Sequence, residues 1–327
     1  MPKERDEKTV DNRLIARYST QQHYVSDVDE TGLGAVDAVK DESAPSSLWG
    51  EAWKKMRKRP LFWVSALIIL TALLMAIVPW IFTSQDPRYC DIKFSLEGAQ
   101  GGHVLGFDKQ GCDLYARMVY GARASVTVGV ISTLIATVIG VFLGAVAGYV
   151  GGWIDAIISR IVDIFFAIPL LLAAIVIMQM FRDSRSTWSV ALVLGIFGWT
   201  QIARITRGSV MSTKHDEFVI AAKALGMPSP QILMKHILPN AMAPIIVYAT
   251  VALGTFIVAE ASLSFLGIGL PDTSVSWGGD ISQAQHSLRD NPMVLFYPSL
   301  ALAFTVLGFI MMGDVVRDAL GRKAKDV

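Results

Sequence analysis

Residues 124–154 read ASVTVGVISTLIATVIGVFLGAVAGYVGGWI, without one Asp, Glu, Lys, Arg or His. A helix needs about 20 apolar residues to cross the hydrocarbon core of a bilayer. A backbone in lipid must pair its own polar groups, which leaves only helices and closed barrels. A barrel strand alternates apolar and polar positions over about ten residues. This run does not alternate, so it reads as a helix. It is longer than one crossing requires, which predicts tilt or extension beyond the membrane. Gly140, Gly144 and Gly148 recur every four residues, with Gly129 upstream. Such a small-residue face lets a second helix approach closely.

Working outward, five more apolar runs appear: Leu61–Phe82, Ile164–Phe181, Thr187–Ile205, Asn240–Ala259 and Pro292–Met312. Pro169 is expected to kink the second of these. The chain is 53% hydrophobic and 17% charged, against about 25% charged in soluble domains. The pattern predicts an all-α polytopic membrane protein with six transmembrane helices. No basic stripe with interleaved aromatics occurs, so no nucleic-acid site is expected. The first apolar run is too long and too late for a cleaved signal peptide.

The polar stretches divide the chain. Residues 1–48 lack a hydrophobic repeat and read as a mostly disordered tail. Residues 47–60, SLWGEAWKKMRKRP, place Trp49 and Trp53 four apart among Lys54, Lys55, Arg57, Lys58 and Arg59. Over 49–60 this suits a basic amphipathic helix lying at the lipid interface, or simply the positive flank of span 61–82. Lys and Arg are dense before the first span, between spans four and five, and at the C-terminus. Short cytoplasmic loops carry that excess. Both termini are therefore expected inside the cell, with 83–123 and 261–295 outside, the latter a re-entrant or lid segment. Residues 124–316 form a five-helix core and 317–327 a tail. Cys90 and Cys112 then lie in the oxidising compartment and would form a disulfide. The opposite orientation would leave two free thiols.

Residues 213–244, TKHDEFVIAAKALGMPSPQILMKHILPNAMAP, read as a helix, a break and a second helix. Phe218, Ala221, Ala222 and Leu225 make a small apolar face. Gly226 stands where a helix ends in a left-handed cap. Pro228, Ser229 and Pro230 turn the chain, Ser229 serves as a cap, and Pro239 interrupts the second helix at the membrane entry. A short cytoplasmic knob of this kind suits docking onto a partner. His215 and His236 flank it, and no metal site is expected there.

This segment resembles the cytoplasmic signature of permease subunits of ATP-binding cassette importers. The residues that carry the resemblance are Ala221, Ala222, Gly226, Ile237, Leu238 and Pro239. The acid that often precedes the two alanines is Ile220 here, as is common in the dipeptide and oligopeptide branch. HVLGFDKQGCDLYARMVYGARASV at 103–126 is similar to the segment before the core spans of the second permease of peptide importers, with Val104 and Cys112 replacing a usual proline and arginine. GYVGGWIDAIISRIVDIFFAIP at 148–169 and ASLSFLGIGLPDTSVSWGG at 261–279 extend the likeness, so that it covers most of residues 50–320. It implies a type I importer permease fold, with coupling through 207–239 to one or two ATPase subunits. It also implies a homologous permease partner, an extracytoplasmic substrate-binding protein, and a peptide cargo. ATP and magnesium would sit in the ATPases. This chain has no Gly-rich phosphate loop ending in Lys and Ser or Thr, and no catalytic residue or bound cofactor is expected of it. Nickel or another small solute is the alternative cargo. A secondary transporter driven by an ion gradient is the alternative class, for which buried midplane acids would be expected. Intramembrane charges are costly and point to function. Glu260 is the one candidate for the pathway or its gate, unless span five ends before it and it faces water.

Overall fold

The computed structural model describes residues 48–321 other than Asp272, with side chains from Gly50 onward. The tails expected at 1–47 and 322–327 lie outside the described residues. Leu48–Met56 forms α1 and Pro60–Ile77 forms α2. The basic helix expected over 49–60 is therefore shorter, and Pro60 opens the span itself. Proline suits a first helical turn, where its missing N–H has no partner to lose. The span ends at Ile77 rather than Phe82. Pro79 lacks the N–H that a continuing helix would need, and Pro79–Ile81 forms a separate 3-10 turn.

A loop held by a disulfide between Cys90 and Cys112 leads to α3, Leu114–Val150. This helix of 37 residues begins well before the expected Ala124. Asp113 caps it, accepting from the Ala116 amide at 2.5 Å. The charges in its first turns all find partners. Arg117 pairs with Asp280, and Arg123 donates to the carbonyls of Ala76 and Ile77 at 3.0 and 3.2 Å. Gly151, at φ +72°, ends it. At about 1.5 Å per residue the helix is ~55 Å long and must protrude from a bilayer.

Two bent pairs follow. α4, Gly152–Ala167, and α5, Leu170–Met180, meet at 78° around Pro169. α6, Thr187–Gly198, and α7, Thr200–Thr213, meet at 43°. α8 is Glu217–Ala224. α9 runs without a break from Ser229 to Phe265, α10 is Trp277–Ala284, and α11 is Met293–Leu320. Among the described residues, α2, α3, α9 and α11 are each long and apolar enough to span a membrane, and six spans result if each bent pair is one.

Two local expectations in α9 need correction. Pro239 does not interrupt the helix. Leu233–Ile237 is a π turn, with the Leu238 amide bonded to the Leu233 carbonyl. The extra residue relieves the crowding between the proline ring and the preceding turn, so the helix passes through. Ser229 is the first helical residue rather than a cap, with Pro228 before it and no side-chain bond.

The glycine face of α3 meets α7. A Cβ at Gly140 would stand 2.9 Å from the Trp199 carbonyl oxygen and one at Gly148 2.7 Å from that of Arg207, while one at Gly144 would collide with that of Ala203. The three carbonyls are spaced four residues apart, like the glycines, so the two backbones lie directly against each other. Val128, Ala136, Leu194, Ile202, Ile245 and Phe256 fill the core around this seam. Ion pairs Asp155–Arg207 and Asp163–Arg204 tie α4 to α7.

Candidate functional site

α8 and the start of α9 rest on the ends of α3 and α7. Val219 and Ala222 of α8 pack with Ile232, Ile237 and Ala241 of α9, Ala145 of α3 and Val210 of α7. Lys214, just beyond α7, donates to the carbonyls of Gly148 and Tyr149 at 3.2 and 3.4 Å. A cation at a helix C-terminus is favourable, and here it binds the end of α7 to the end of α3. α8 closes with Gly226 at φ +76°, while the Met227 amide donates to the Ala222 carbonyl at 3.2 Å and the Gly226 amide to that of Lys223 at 3.0 Å. That double closure turns the chain sharply and needs a glycine at the left-handed position.

The six residues of the signature therefore divide. Ala222, 5% exposed, and Ile237, fully buried, face inward. The expected apolar face that included Ala222 is corrected accordingly: Ala222 holds α8 to the body of the protein. Ala221, Gly226 and Pro239 are exposed and Leu238 is half-buried. Around them lie Phe218, Ile220, Met234 and Leu225, the last 85% exposed. Exposed apolar side chains gathered on one short segment are the kind of surface that marks an interaction site. The spacing of small residues revealed the segment but not which of them point outward.

Glu260 lies inside α9, which continues to Phe265, and its side chain is 0% exposed. The helix does not end before it, and the carboxyl does not face water. Ser264 donates to its Oε1 at 2.8 Å, and Ser125 of α3 and Ser276 beside α10 stand close to the carboxyl. Its Oε2 and the Ser125 hydroxyl have no partner among the described residues. The carboxyl sits where α3, α9 and the start of α10 converge.

Sequence reasoning missed a second polar centre. Arg117 on α3 pairs with Asp280 on α10 and lies 3.7 Å from Asp108 of the disulfide-closed loop. Trp277, nearly fully buried, donates from Nε1 to the Met118 carbonyl at 2.8 Å. The segment after α9 is thus packed onto α3. No local cue in the sequence pairs Arg117 with Asp280, which stands 163 positions further on. Among the described residues no group of three His, Cys, Asp or Glu could hold a metal ion.

Comparisons with known proteins agree with this architecture. Residues 140–326 match the model of the binding-protein-dependent transport system inner membrane component family, and residues 47–95 match the N-terminal TM domain of oligopeptide transport permease C. The chain is 39% identical to the dipeptide transport system permease protein DppC of Alkalihalophilus pseudofirmus, over 88% of this chain and 93% of that one. It is 36% identical to the oligopeptide transport system permease protein OppC of Bacillus subtilis, over 89% and 95%. It is 34% identical to the glutathione transport system permease protein GsiD of Escherichia coli, over 90% and 97%. A chain of the inward-facing MetNI methionine ABC transporter shares the fold, with TM-score 0.53 and 21% identity over 63% of this chain and 97% of that one. With four helices and two bent pairs arranged as such a permease, and a family match over more than half its length, this chain belongs to the binding-protein-dependent transport system inner membrane components.

Proposed function

We propose that this chain is the permease subunit of an ATP-driven importer, lining with a homologous permease the route by which di- and oligopeptides enter the cell. The observation that carries the reading is the 36–39% identity to dipeptide and oligopeptide permeases along nearly the whole chain. The glutathione permease likeness favours a second reading of the same chemistry, a tripeptide cargo. The termini would lie in the cytoplasm of a bacterial inner membrane. The cargo would arrive on an extracytoplasmic binding protein.

The exposed patch of Phe218, Ile220, Ala221, Leu225 and Met234 is the proposed seat of an ATPase subunit. ATP and magnesium belong to that partner in this reading. This chain contributes a mechanical link. Because Val219 and Ala222 are packed against α3, α7 and α9, a displacement of α8 moves those helices with it. Rigid-body rocking of this kind needs two competing packings of an interface. The π turn at Leu233–Ile237 and the 43° bend between α6 and α7 are the places where α9 and the α6–α7 span can flex.

The test is uptake into vesicles containing this chain, its partner permease and their ATPases, with ATP inside and the binding protein outside. Labelled di- and tripeptides should accumulate with ATP and not with an imposed ion gradient. Glutathione taken up in preference to other peptides supports the second reading. Nickel uptake without peptide uptake, or uptake that follows an ion gradient, overturns the proposal.

A further inference from the structure

α1 and the start of α2 form a corner that carries five basic residues, Lys54, Lys55, Arg57, Lys58 and Arg59, against one acid, Glu51. Arg59 pairs with Asp318 near the end of α11, and Asp314 pairs with Arg317 on that helix. The acids of α11 nearest the corner are thereby occupied. Lys54, Lys55, Arg57 and Lys58 are all exposed, and none has an ion-pair partner among the described residues. The corner is nevertheless held in place. Ala52 is buried, Trp53 meets Phe62 edge-on at 5.5 Å, and the Trp63 indole donates to the Arg57 carbonyl at 3.0 Å. Trp53 and Trp63 are 51% and 60% exposed. The apolar span starts at Pro60, so these cations and indoles stand at headgroup depth, where tryptophan is enriched.

We propose that this corner is a binding site for the phosphate of an anionic phospholipid, with Lys54, Lys55, Arg57 and Lys58 meeting the headgroup and Trp53 and Trp63 bordering the acyl region. Charge complementarity selects the occupant: four cations at the membrane surface face a phase that carries anions. The Arg59–Asp318 pair passes the effect on, because the lipid-bound corner is clipped to α11. A bound anionic lipid therefore holds α1 and α2 against the last span. This inference requires only that the chain is a membrane protein, so it stands or fails apart from the identity of the cargo.

The experiment uses the full permease complex in nanodiscs of phosphatidylcholine with or without phosphatidylglycerol. Lipid retained through detergent extraction is counted by native mass spectrometry. A Lys54→Gln, Lys55→Gln, Arg57→Gln, Lys58→Gln variant keeps the helix-forming character of the corner. Each cation near an anionic surface strengthens binding roughly fivefold, and the four factors multiply, so the variant should retain phosphatidylglycerol up to about 600-fold more weakly, with phosphatidylcholine unchanged. The natural complex should also show a higher unfolding temperature in phosphatidylglycerol discs, and Arg59→Gln should lose that gain while keeping most of the lipid. Equal phosphatidylglycerol retention by the natural chain and the quadruple variant overturns the site. So does a large rise in retention on removing residues 1–46, since the cations would then be covered by the chain's own acidic tail.

Discussion

Arg117 Nε donates to Asp280 Oδ1 at 3.0 Å, joining the first turn of α3 to α10 across 163 positions of sequence. Asp108 shares the same guanidinium at 3.7 Å. Burial pushes the Asp280 carboxyl up from 3.8 to about 6, with Arg117 opposing the rise and Asp108 adding to it. Between those two values the folded chain keeps a proton that the unfolded chain has released. Stability from this group is therefore fullest below 3.8 and is lost as pH rises through about 6. Asp280→Asn removes the titration. The difference in unfolding temperature between the natural chain and this variant should change across pH 4–6 and be flat above pH 7. A constant difference over the whole range contradicts the assignment. Arg117→Ala, which strands two carboxylates, should cost about 3–5 kcal/mol.

The seam between α3 and α7 predicts opposite outcomes for two glycines. A Cβ at Gly144 meets the Ala203 carbonyl, whereas Gly208 on α7 has nothing within 4 Å. Gly144→Ala should destabilise by about 1–3 kcal/mol through overpacking. Gly208→Ala should stabilise by up to about 1 kcal/mol, because alanine loses less freedom in a helix. Thermal unfolding in detergent reads both signs.

Within the coupling segment, inward and outward residues should fail differently. Leu225→Asp leaves the α8 core intact and should abolish co-purification of the ATPase with little change in unfolding temperature. Ala222→Trp overfills the contact with Val210 and Ile237 and should lower the unfolding temperature as well. Gly226→Val forces a β-branched residue to φ +76°, a strain of about 1–2 kcal/mol, and should displace the turn. Loss of stability without loss of ATPase in Leu225→Asp would refute the outward placement.

Glu260→Gln and Glu260→Ala should separate a structural from a pathway role. Glutamine keeps an acceptor for Ser264 and the volume of the side chain. Alanine leaves a cavity and removes the acceptor of the Ser264 hydroxyl, at a cost of about 2–5 kcal/mol. Neither should alter the ranking of transported cargoes at permissive temperature. A changed ranking in the glutamine variant would put Glu260 back on the pathway.

The disulfide closes a loop between positions 22 residues apart. Its removal in Cys90→Ser, Cys112→Ser should cost about 3 kcal/mol. Intact mass after alkylation, with and without reductant, should show no free thiol in the natural protein until it is reduced. Two thiols alkylated in the unreduced native protein would contradict the bond.

Membrane residence, the helical class and the number of apolar runs were all legible in the chain alone. An uncharged stretch such as 124–154 has one stable solution in lipid, and that solution depends on no distant residue. The glycine periodicity of 140, 144 and 148 and the left-handed cap at Gly226 were legible for the same reason: each is a property of a few consecutive residues. The tertiary structure alone decided what depends on neighbours far along the chain. Asp113, Asp280 and the carbonyls of Ala76 and Ile77 extend α3 through Arg117 and Arg123, which a hydropathy window reads only as polar. The π turn carries α9 past Pro239, where local propensity expects a stop. Ala145, Val210 and Ile237 claim Ala222 for the interior and leave Ala221 and Leu225 outside, although all three are small or apolar. Ser264, Ser125 and Ser276 enclose Glu260 because three elements, separated in sequence, converge on it. Periodicity states which residues share a helix face. Only packing states what that face touches.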